Sequence, residues 1–281
     1  MYRPLPVPYI DATIIELDVP GFGVLPLAWF GVLVATGVLV GSWIAEKQGE
    51  KMGLDKYDMR WLSTRTVIGG FVISHVFDTI AYHPEVLLEE PERLLYIWAG
   101  LSSFGGFLGA AITFWWLTRK EKLPALAFAD AIALGLAPAW IFGRAGCYTA
   151  HDHPGSFTDF FLAVPYPDGT RHDLGLYEGI VTVFLTIGLW AYARKRRGPG
   201  ALVAFLAIIY APTRFALDFL RATDVDQADP RYVGLTPGQW ASVACLVFGI
   251  WLLSRTANKP PYEPPPPVEK EPSPALEPAA A

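Results

Sequence analysis

Seven long apolar segments constrain the fold of this chain more than any other feature of its sequence. Each segment approaches the roughly 20 residues that a helix needs to cross the hydrocarbon core of a bilayer. Of the 281 residues, 52% are hydrophobic and 17% are charged. The segments are residues 26–45, 64–83, 94–117, 124–143, 176–193, 201–220 and 238–254. The pattern predicts an all-α membrane protein with seven transmembrane helices.

The distribution of Lys and Arg predicts the orientation of these helices. Basic residues concentrate in the loops after the first, third and fifth segments, and again after the seventh. Cytoplasmic loops carry such an excess, so we expect an exterior N-terminus and a cytoplasmic C-terminus. Topology thus explains the basic clusters, and no nucleic-acid partner is indicated. The first 20 residues show no basic stretch followed by an apolar one, so we expect no cleavable signal peptide.

Composition divides the whole chain into three parts. Residues 1–25 are expected to be an exterior segment, in which residues 12–19 partly alternate ahead of a Pro-Gly pair and predict a short hairpin. Residues 26–255 should form the membrane domain. Its longest exterior loop, residues 144–175, has a length that is often functional. Residues 256–281 are rich in Pro, Glu and Ala, which predicts a disordered cytoplasmic tail.

Charged side chains within or at the ends of the apolar segments point to a functional site. The predicted orientation puts seven of them in the outer half of the membrane: His75, Asp78, Arg144, Glu178, Arg214, Asp218 and Arg221. Burying an ionised group in hydrocarbon costs several kcal/mol, so such residues usually face a bundle interior and usually have a function. We therefore expect an outward-facing polar chamber. The alternative is a set of structural ion pairs, such as Arg214 with Asp218 or Glu178.

Several arginines in one chamber suit an anionic ligand. Guanidinium groups bind phosphate through two parallel hydrogen bonds, so a phospholipid headgroup is the expected ligand. Arg144 and Arg214 are expected to hold the phosphate, and Arg221 follows Arg214 on one helical stripe. Asp130 lies deeper in the fourth segment and is expected to make a helix–helix hydrogen bond instead.

Two further stretches of sequence bear on chemistry. The run His151-Asp152-His153 invites a zinc-site interpretation, but Cys147 and His172 do not complete a recognised ligand spacing. We therefore expect no metal ligands, and no organic cofactor is required. The Gly- and Ser-rich residues 100–106 are unusual in a membrane span and are expected to break the third segment.

Several motifs also follow one another in a recognisable order. They are Ala28-Trp29-Phe30-Gly31, Gly100 to Gly106, Asp130-x13-Gly143-Arg144-Ala145-Gly146-Cys147 followed by Asp152, Leu176-Tyr177-Glu178, Tyr210-x3-Arg214-x3-Asp218-x2-Arg221, and Leu235-Thr236-Pro237-Gly238-Gln239. In order and spacing they resemble the motifs of bacterial prolipoprotein diacylglyceryl transferases, from about residue 20 to residue 254.

The resemblance implies an enzyme of lipoprotein maturation in the bacterial cytoplasmic (inner) membrane. Such enzymes transfer a diacylglyceryl group from phosphatidylglycerol to the lipobox cysteine thiol of a prolipoprotein signal peptide and release glycerol phosphate. Phe104 stands where the family has a histidine and Phe30 where it has a tyrosine. Cys147 replaces a family asparagine, and His75 replaces an arginine.

These replacements leave two interpretations open. If the chain is active, a base other than residue 104 must accept the thiol proton. His151, oriented by Asp152, or His75, oriented by Asp78, is the candidate, and we favour His151 because it lies in the exterior loop. The alternative function is a non-catalytic paralogue that binds an anionic phospholipid.

Overall fold

A computed structural model describes residues 7–19, 23–84, 90–95, 100–225 and 228–264. In this part, the chain is mostly helical, with seven long helices: α1 (Trp29–Met52), α2 (Lys56–Tyr82), α3 (Ser103–Lys120), α4 (Ala125–Ala150), α5 (Leu174–Ala193), α6 (Ala201–Leu217) and α7 (Pro237–Thr256). Short 3₁₀ helices cover Pro91–Leu95 and Asp218–Leu220. The strands are β1 (Thr13–Val19), β2 (Gly23–Ala28), β3 (Pro154–Phe157), β4 (Val164–Tyr166) and β5 (Gly169–Asp173).

Five of the long helices are long and apolar enough to cross a membrane. These are α1, α4, α5, α7, and α6 together with the turn that extends it to Leu220. The remaining two, α2 and α3, correspond to the second and third predicted segments. The structure is therefore that of a helical membrane protein, and the count of seven crossings stays a prediction.

Local capping, rather than the extent of apolar sequence, decides where the first two helices meet. Helix α1 continues past residue 45 and ends where Gly53 adopts a left-handed conformation, with φ of 84°. Helix α2 begins soon afterwards, because the Asp55 side chain accepts a hydrogen bond from the backbone N–H of Asp58. Both helices therefore extend beyond the apolar segments that predicted them.

The third predicted segment is broken, as the residues 100–106 suggested. Helix α3 begins at Ser103 instead of residue 94, and the Ser102 side chain caps it. Gly100 has a φ of 113°, and a Cβ atom there would lie 2.3 Å from Asp78 Oδ2. Only glycine fits this conformation and this close approach.

The segment predicted as an exterior loop, residues 144–175, contains the end of a helix and a small sheet. Helix α4 continues to Ala150 and ends at His151, whose φ of 53° is left-handed. Strands β3, β5 and β4 then form an antiparallel sheet in that order. Val164 of β4 is fully buried, so one side of this short sheet packs against the protein. The composition of the segment, rich in Pro, Gly, His and Asp, did not indicate this packing.

Small residues allow the helices to pack closely. Helix α1 packs most extensively on α4, and α2 on α3. At the α1–α4 crossing, a Cβ atom on Gly135 would lie 2.1 Å from the backbone oxygen of Gly41. Such close backbone approach is typical of helix packing in membranes, where van der Waals contact replaces the hydrophobic effect.

The predicted N-terminal hairpin is present and is longer than expected. Strands β1 and β2 pair antiparallel from Thr13↔Ala28 to Val19↔Gly23, and β2 leads directly into α1. At the other end of the chain, residues 257–264 are described and residues 265–281 are not. Tyr262 packs on an apolar cluster that includes Leu54, and its backbone oxygen accepts a hydrogen bond from Arg196.

Candidate functional site

A buried glutamate joins two arginines at one end of the bundle. Glu178 lies in the second turn of α5 and is 1% exposed. Its Oε2 lies 2.9 Å from Arg144 Nε of α4, and its Oε1 lies 3.1 Å from Arg214 Nε of α6. Tyr210, one turn before Arg214, donates a hydrogen bond of 3.1 Å to Oε2. We call Arg144, Glu178, Tyr210, Arg214 and Asp218 the arginine cluster.

Asp218 extends this cluster toward the start of α7. It is fully buried, and its Oδ1 pairs with Arg214 Nη1 and lies 3.6 Å from Arg221 Nη1. Its Oδ2 accepts a hydrogen bond from the hydroxyl of Thr236, the residue that caps α7. Arg221 also pairs with Asp229, at 2.6 Å. The sequence predicted Arg214, Asp218 and Arg221 on one helical stripe. The structure keeps the three charges in contact, although α6 ends at Leu217 and Arg221 follows a 3₁₀ turn.

Aromatic rings form one wall of the arginine cluster. The Arg144 guanidinium lies 5.7 Å from the ring centroid of Trp140, and Tyr210 meets the same ring edge-on at 5.1 Å. Phe107 of α3 stacks on Trp140 at 4.9 Å. Aromatic faces attract guanidinium groups, so this wall fixes the Arg144 side chain from the apolar side.

Both arginines keep donors that the protein does not use. Within the described residues, Arg144 Nη1 has only the Cys147 Sγ nearby, at 3.9 Å, and Arg214 Nη2 has no oxygen acceptor. A Cβ on Gly238 would lie 3.0 Å from Arg214 Nη2, so glycine leaves room for that group. The two side chains remain 14% and 13% exposed. The two arginines can therefore donate N–H groups to an anion without breaking their ion pairs with Glu178.

His75 lies against the break before α3, and no contact in the described residues joins it to the arginine cluster. Its ring is 1% exposed, and Nδ1 lies 3.0 Å from the backbone oxygen of Gly100. Nδ1 therefore carries the proton, and Nε2 is an acceptor that is buried without a partner. Asp78 lies one helical turn after His75 on α2 and also packs against Gly100.

His151 is held by the N-terminal segment. Its Nε2 donates to the backbone oxygen of Ile10 at 2.8 Å, and its ring stacks on Tyr9 at 3.7 Å. Its Nδ1 lies 3.8 Å from Asp173 Oδ2. The carboxylate beside His151 is thus that of Asp173, whereas the sequence suggested Asp152. Burial raises the pKa of the Asp173 carboxyl above its usual range.

Asp152 instead belongs to a small cluster that could hold a metal ion. Its Oδ1 lies 3.1 Å from His153 Nδ1. One ligand atom each from Cys147, Asp152 and His153 falls within 4.8 Å of the others. Sequence spacing did not bring His153 and Cys147 together, because the left-handed turn at His151 that folds these residues back toward Cys147 leaves no mark in the sequence.

The two phenylalanines at family positions lie on different elements. Phe104 is in the first turn of α3, is 55% exposed, and its ring lies 5.4 Å from Phe77. It lies one turn before Phe107, which stacks on Trp140. Phe30 is in the first turn of α1, where a Cβ on Gly146 would lie 3.1 Å from its ring.

Arg171 is a second structural centre that the sequence did not single out. It is 2% exposed and pairs with Asp168 at 2.6 Å and with Asp224 at 2.7 Å. Its Nη1 also donates to the backbone oxygen of Gly155. The guanidinium holds the pKa of the Asp168 and Asp224 carboxyls below their usual range. Arg171 thereby joins the sheet of β3–β5 to the segment that follows α6.

Asp130 has the helix–helix role that its depth predicted. Its carboxylate accepts hydrogen bonds from the backbone N–H groups of Gly200, Leu202 and Val203, at 2.8, 3.0 and 3.0 Å. A residue of α4 thus caps the N-terminus of α6, which has no side-chain cap of its own.

Comparison with known proteins places these residues in context. The family model described as prolipoprotein diacylglyceryl transferase matches residues 19–255. Relatives with the name phosphatidylglycerol–prolipoprotein diacylglyceryl transferase include the following three. One from Nitratidesulfovibrio vulgaris strain DP4 is 29% identical and covers 91% of this chain and 98% of its own. One from Solidesulfovibrio magneticus is 32% identical and covers 84% of this chain and 92% of its own. One from Legionella pneumophila strain Corby is 31% identical and covers 82% of this chain and 93% of its own.

Proposed function

The chain belongs to the prolipoprotein diacylglyceryl transferase family, and we propose from this that it transfers a diacylglyceryl group from phosphatidylglycerol to a cysteine thiol of prolipoproteins. The expected substrates are therefore phosphatidylglycerol and the lipobox of a prolipoprotein signal peptide. The transfer is a step of lipoprotein maturation, and the protein is a membrane-bound transferase.

The observation that carries this proposal is the pair of arginines held by one buried glutamate. Glu178 neutralises part of the charge of Arg144 and Arg214 and fixes both side chains, while Arg144 Nη1 and Arg214 Nη2 stay open. A phosphodiester oxygen between those donors would receive charge-assisted hydrogen bonds. Arg221 and Asp218 would support Arg214 from the far side.

The reaction is a single displacement at a glycerol carbon. The substrate thiolate attacks the carbon that is bonded to the phosphate oxygen, a sulfur–carbon bond forms, and the carbon–oxygen bond breaks. The bonding electrons leave with glycerol phosphate, whose negative charge rises as the bond breaks. Arginine donors aimed at that phosphate stabilise the charge that develops in the transition state.

Of the two histidines predicted as bases, the geometry favours His75. His151 Nε2 donates to Ile10 and its ring stacks on Tyr9, so His151 also serves to hold the N-terminal segment, although its Nδ1, 3.8 Å from Asp173 Oδ2, forms no hydrogen bond in the described residues either. His75 Nε2 has an unused acceptor lone pair, which a general base requires. We therefore propose His75, beside Asp78, as the group that accepts the thiol proton.

The proposed setting is the bacterial cytoplasmic (inner) membrane, with the N-terminus outside and the C-terminus in the cytoplasm. All seven long helices would then cross the bilayer, and the arginine cluster would lie in a chamber in its outer half. Residue counts in the loops support this orientation. The acyl chains of the lipid would remain in the bilayer between helices while the headgroup enters the chamber.

The alternative, a paralogue that only binds an anionic phospholipid, is not favoured. The relatives described above are named as transferases and match this chain over nearly their whole length. The arginine cluster lies in the motifs that resemble those of the family. The replacement of the family histidine by Phe104 is the feature that the alternative explains best.

Complementation tests the proposed function in cells. A strain depleted of its own transferase should regain growth and diacylglyceryl-modified lipoproteins, read by mass spectrometry, when it expresses this chain. Arg214→Ala should express at the same level and fail to restore the modification. Unmodified prolipoproteins in cells that contain membrane-inserted wild-type protein would refute the proposal.

A further inference from the structure

We propose that Cys147, Asp152 and His153 bind a zinc ion, and that the open position on this ion takes the thiol of the substrate cysteine. The identity of that thiol rests on the proposed function, whereas the metal site does not. The sequence predicted no metal ligands, whereas the structure brings these three side chains together in a way that spacing did not reveal.

The three side chains have the chemistry and the spacing that zinc requires. Thiolate sulfur, imidazole nitrogen and carboxylate oxygen are its protein ligands, and bond lengths of about 2.0 to 2.3 Å place ligand atoms about 3.3 to 3.5 Å apart. Asp152 Oδ1 and His153 Nδ1 are already 3.1 Å apart. All three ligand atoms lie within 4.8 Å of one another. Small side-chain rotations would therefore close the site.

His153 presents a nitrogen that the protein does not otherwise use. Its Nδ1 is buried and forms no hydrogen bond of acceptable geometry in the described residues, although Asp152 is near. A buried polar atom without a partner is costly, and it usually indicates a role beyond packing. Coordination to a cation would satisfy this nitrogen and would also explain why a carboxylate and a thiol lie next to it.

The backbone holds the three ligands in place. Cys147 lies in the last turn of α4, and the left-handed conformation of His151 turns the chain back toward it. The backbone oxygen of His153 accepts a hydrogen bond of 3.1 Å from Leu174 N at the start of α5. Pro154 then pairs with Asp173 in the sheet. A site built from a helix end and a sheet edge needs little rearrangement to bind its ion.

Electrostatics do not oppose a cation here, although Arg144 is close. A zinc ion with one thiolate and one carboxylate is electrically neutral, and Arg144 is already paired with Glu178. Arg144 Nη1 lies 3.9 Å from Cys147 Sγ and can donate to that sulfur. A fourth, anionic ligand would make the site negative and would be attracted by the same arginine.

Three protein ligands leave one position of a tetrahedral ion open, as in catalytic zinc sites. The Asp152 side chain is 42% exposed and that of His153 22%, so the open position is accessible from outside the bundle. A thiol that coordinates a zinc ion is deprotonated. Because no contact in the described residues joins His75 to this site, the proton would reach that base through water. The bound sulfur then attacks the glycerol carbon while glycerol phosphate leaves with the bonding electrons.

This arrangement also brings the two substrates together. Arg144 contacts Cys147 on one side and belongs to the arginine cluster on the other. A thiolate on the zinc ion would therefore lie beside the phosphate that Arg144 and Arg214 bind. The metal would supply what the chain lost with the family histidine, namely a thiolate at neutral pH.

Metal analysis of purified protein tests the site without any activity measurement. Wild-type protein, incubated with zinc and dialysed, should retain about one ion per chain. Cys147→Ser and His153→Gln should each bind zinc about tenfold more weakly or worse. Cys245→Ser is the matched cysteine control and His151→Gln the matched histidine control, and both should bind like wild type. Equal zinc binding in all five proteins, or none in wild type, would overturn the site.

Cobalt tests the ligands and the open position directly. In Cys245→Ser, Cys147 is the only cysteine, so a thiolate-to-cobalt charge-transfer band would identify it as a ligand. Addition of a lipobox peptide should change the visible cobalt spectrum, and the same peptide with Ser in place of Cys should not. A cobalt spectrum that ignores both peptides, or responds equally to both, would overturn the thiol assignment. Failure of diacylglyceryl transfer with an intact cobalt response would refute the proposed function and leave the metal site standing.

Discussion

Glu178 decides how two arginines are presented to a ligand. Because one carboxylate pairs with Nε of both Arg144 and Arg214, the outer nitrogens of the two guanidinium groups remain directed away from it. Replacing a planar fork by an ammonium group would remove this geometry, since lysine offers a point charge on a flexible stem. The identity of these two side chains should therefore matter more than their charge.

Arg214→Lys is the variant that tests this expectation. We expect kcat/KM for diacylglyceryl transfer to fall about 100-fold or more, the loss typical when one donor to a developing negative charge is removed. Arg119→Lys is the matched control, because Arg119 lies over Trp115 at the opposite end of α3 from the cluster. Activity of Arg214→Lys equal to that of the control would show that charge alone suffices.

The two histidine variants should separate catalysis from anchoring. His75→Gln should lower kcat by about 10² or more, the usual contribution of a general base, and leave zinc content unchanged. His151→Gln should keep most activity but release the segment that carries Tyr9 and Ile10, which stack on and bond to the ring. Limited proteolysis of that segment measures the release. Full activity in His75→Gln would remove it as the base.

At the scale of elements, helix ends and short sheets are where sequence analysis was least complete. Apolar length predicted all seven long helices, and the Gly–Ser run predicted the break before α3. The continuation of α4 to Ala150 was missed, because the run from Arg144 is polar enough to resemble a loop. The sheet of β3–β5 was missed too, since its strands are only three to five residues long.

The same limit applies to the candidate site. The regular spacing of Arg214, Asp218 and Arg221 is visible in the sequence, and so is the depth of Glu178. The approach of His153 to Cys147 depends on the left-handed turn at His151, a backbone conformation that L side chains rarely adopt. The link between Arg171 and Asp224 joins residues 53 positions apart and has no periodic signal.

Asp130 provides a test at the level of helix contacts. Asp130→Ala should leave three N–H groups at the start of α6 without partners and destabilise the protein by about 2 kcal/mol, the upper value for loss of a helix cap. Asp130→Asn keeps an acceptor oxygen and should lose less. Thermal unfolding of the purified proteins measures the order, and equal midpoints for wild type and Asp130→Ala would contradict the capping role.

At the scale of the whole molecule, Arg171 joins parts of the chain that are far apart in sequence. Its partners Asp168 and Asp224 have pKa values lowered from the usual 3.8. A lowered pKa in the folded state contributes stability that is complete above 3.8 and is lost as the pH falls through the lowered value. Both aspartates are about half exposed, so the effect should be modest.

Acid should therefore loosen this link before the membrane helices unfold. We expect the segment around Asp224 to become sensitive to an acid-active protease below the lowered pKa. Asp224→Asn should make the same segment sensitive to a neutral protease at neutral pH, because Arg171 then keeps only one carboxylate partner. Asp159→Asn, which removes a carboxylate that Arg171 does not contact, is the control. Identical cleavage of all three proteins would show that the link does not hold the segment.

The membrane arrangement unites these features into one account. Lipid would reach the arginine cluster from the bilayer, and the peptide thiol would reach the outer end of α4 from the exterior. Both routes require the end that carries β3–β5 to face outward, as the distribution of Lys and Arg predicts. A cysteine placed at Asp159 in a Cys147→Ser and Cys245→Ser background should react with an impermeant thiol reagent in intact spheroplasts, and a cysteine at Lys195 should not.

Formation of a thioether between a lipobox cysteine and a diacylglyceryl group is the reaction that we propose for this chain. The direct measurement uses purified protein in vesicles with phosphatidylglycerol that is labelled in its glycerol headgroup, together with a lipobox peptide. We expect the peptide to gain the mass of one diacylglyceryl group at its cysteine while the label is released as glycerol phosphate. A peptide of unchanged mass, with wild-type protein that still binds phosphatidylglycerol through Arg144 and Arg214, would contradict it.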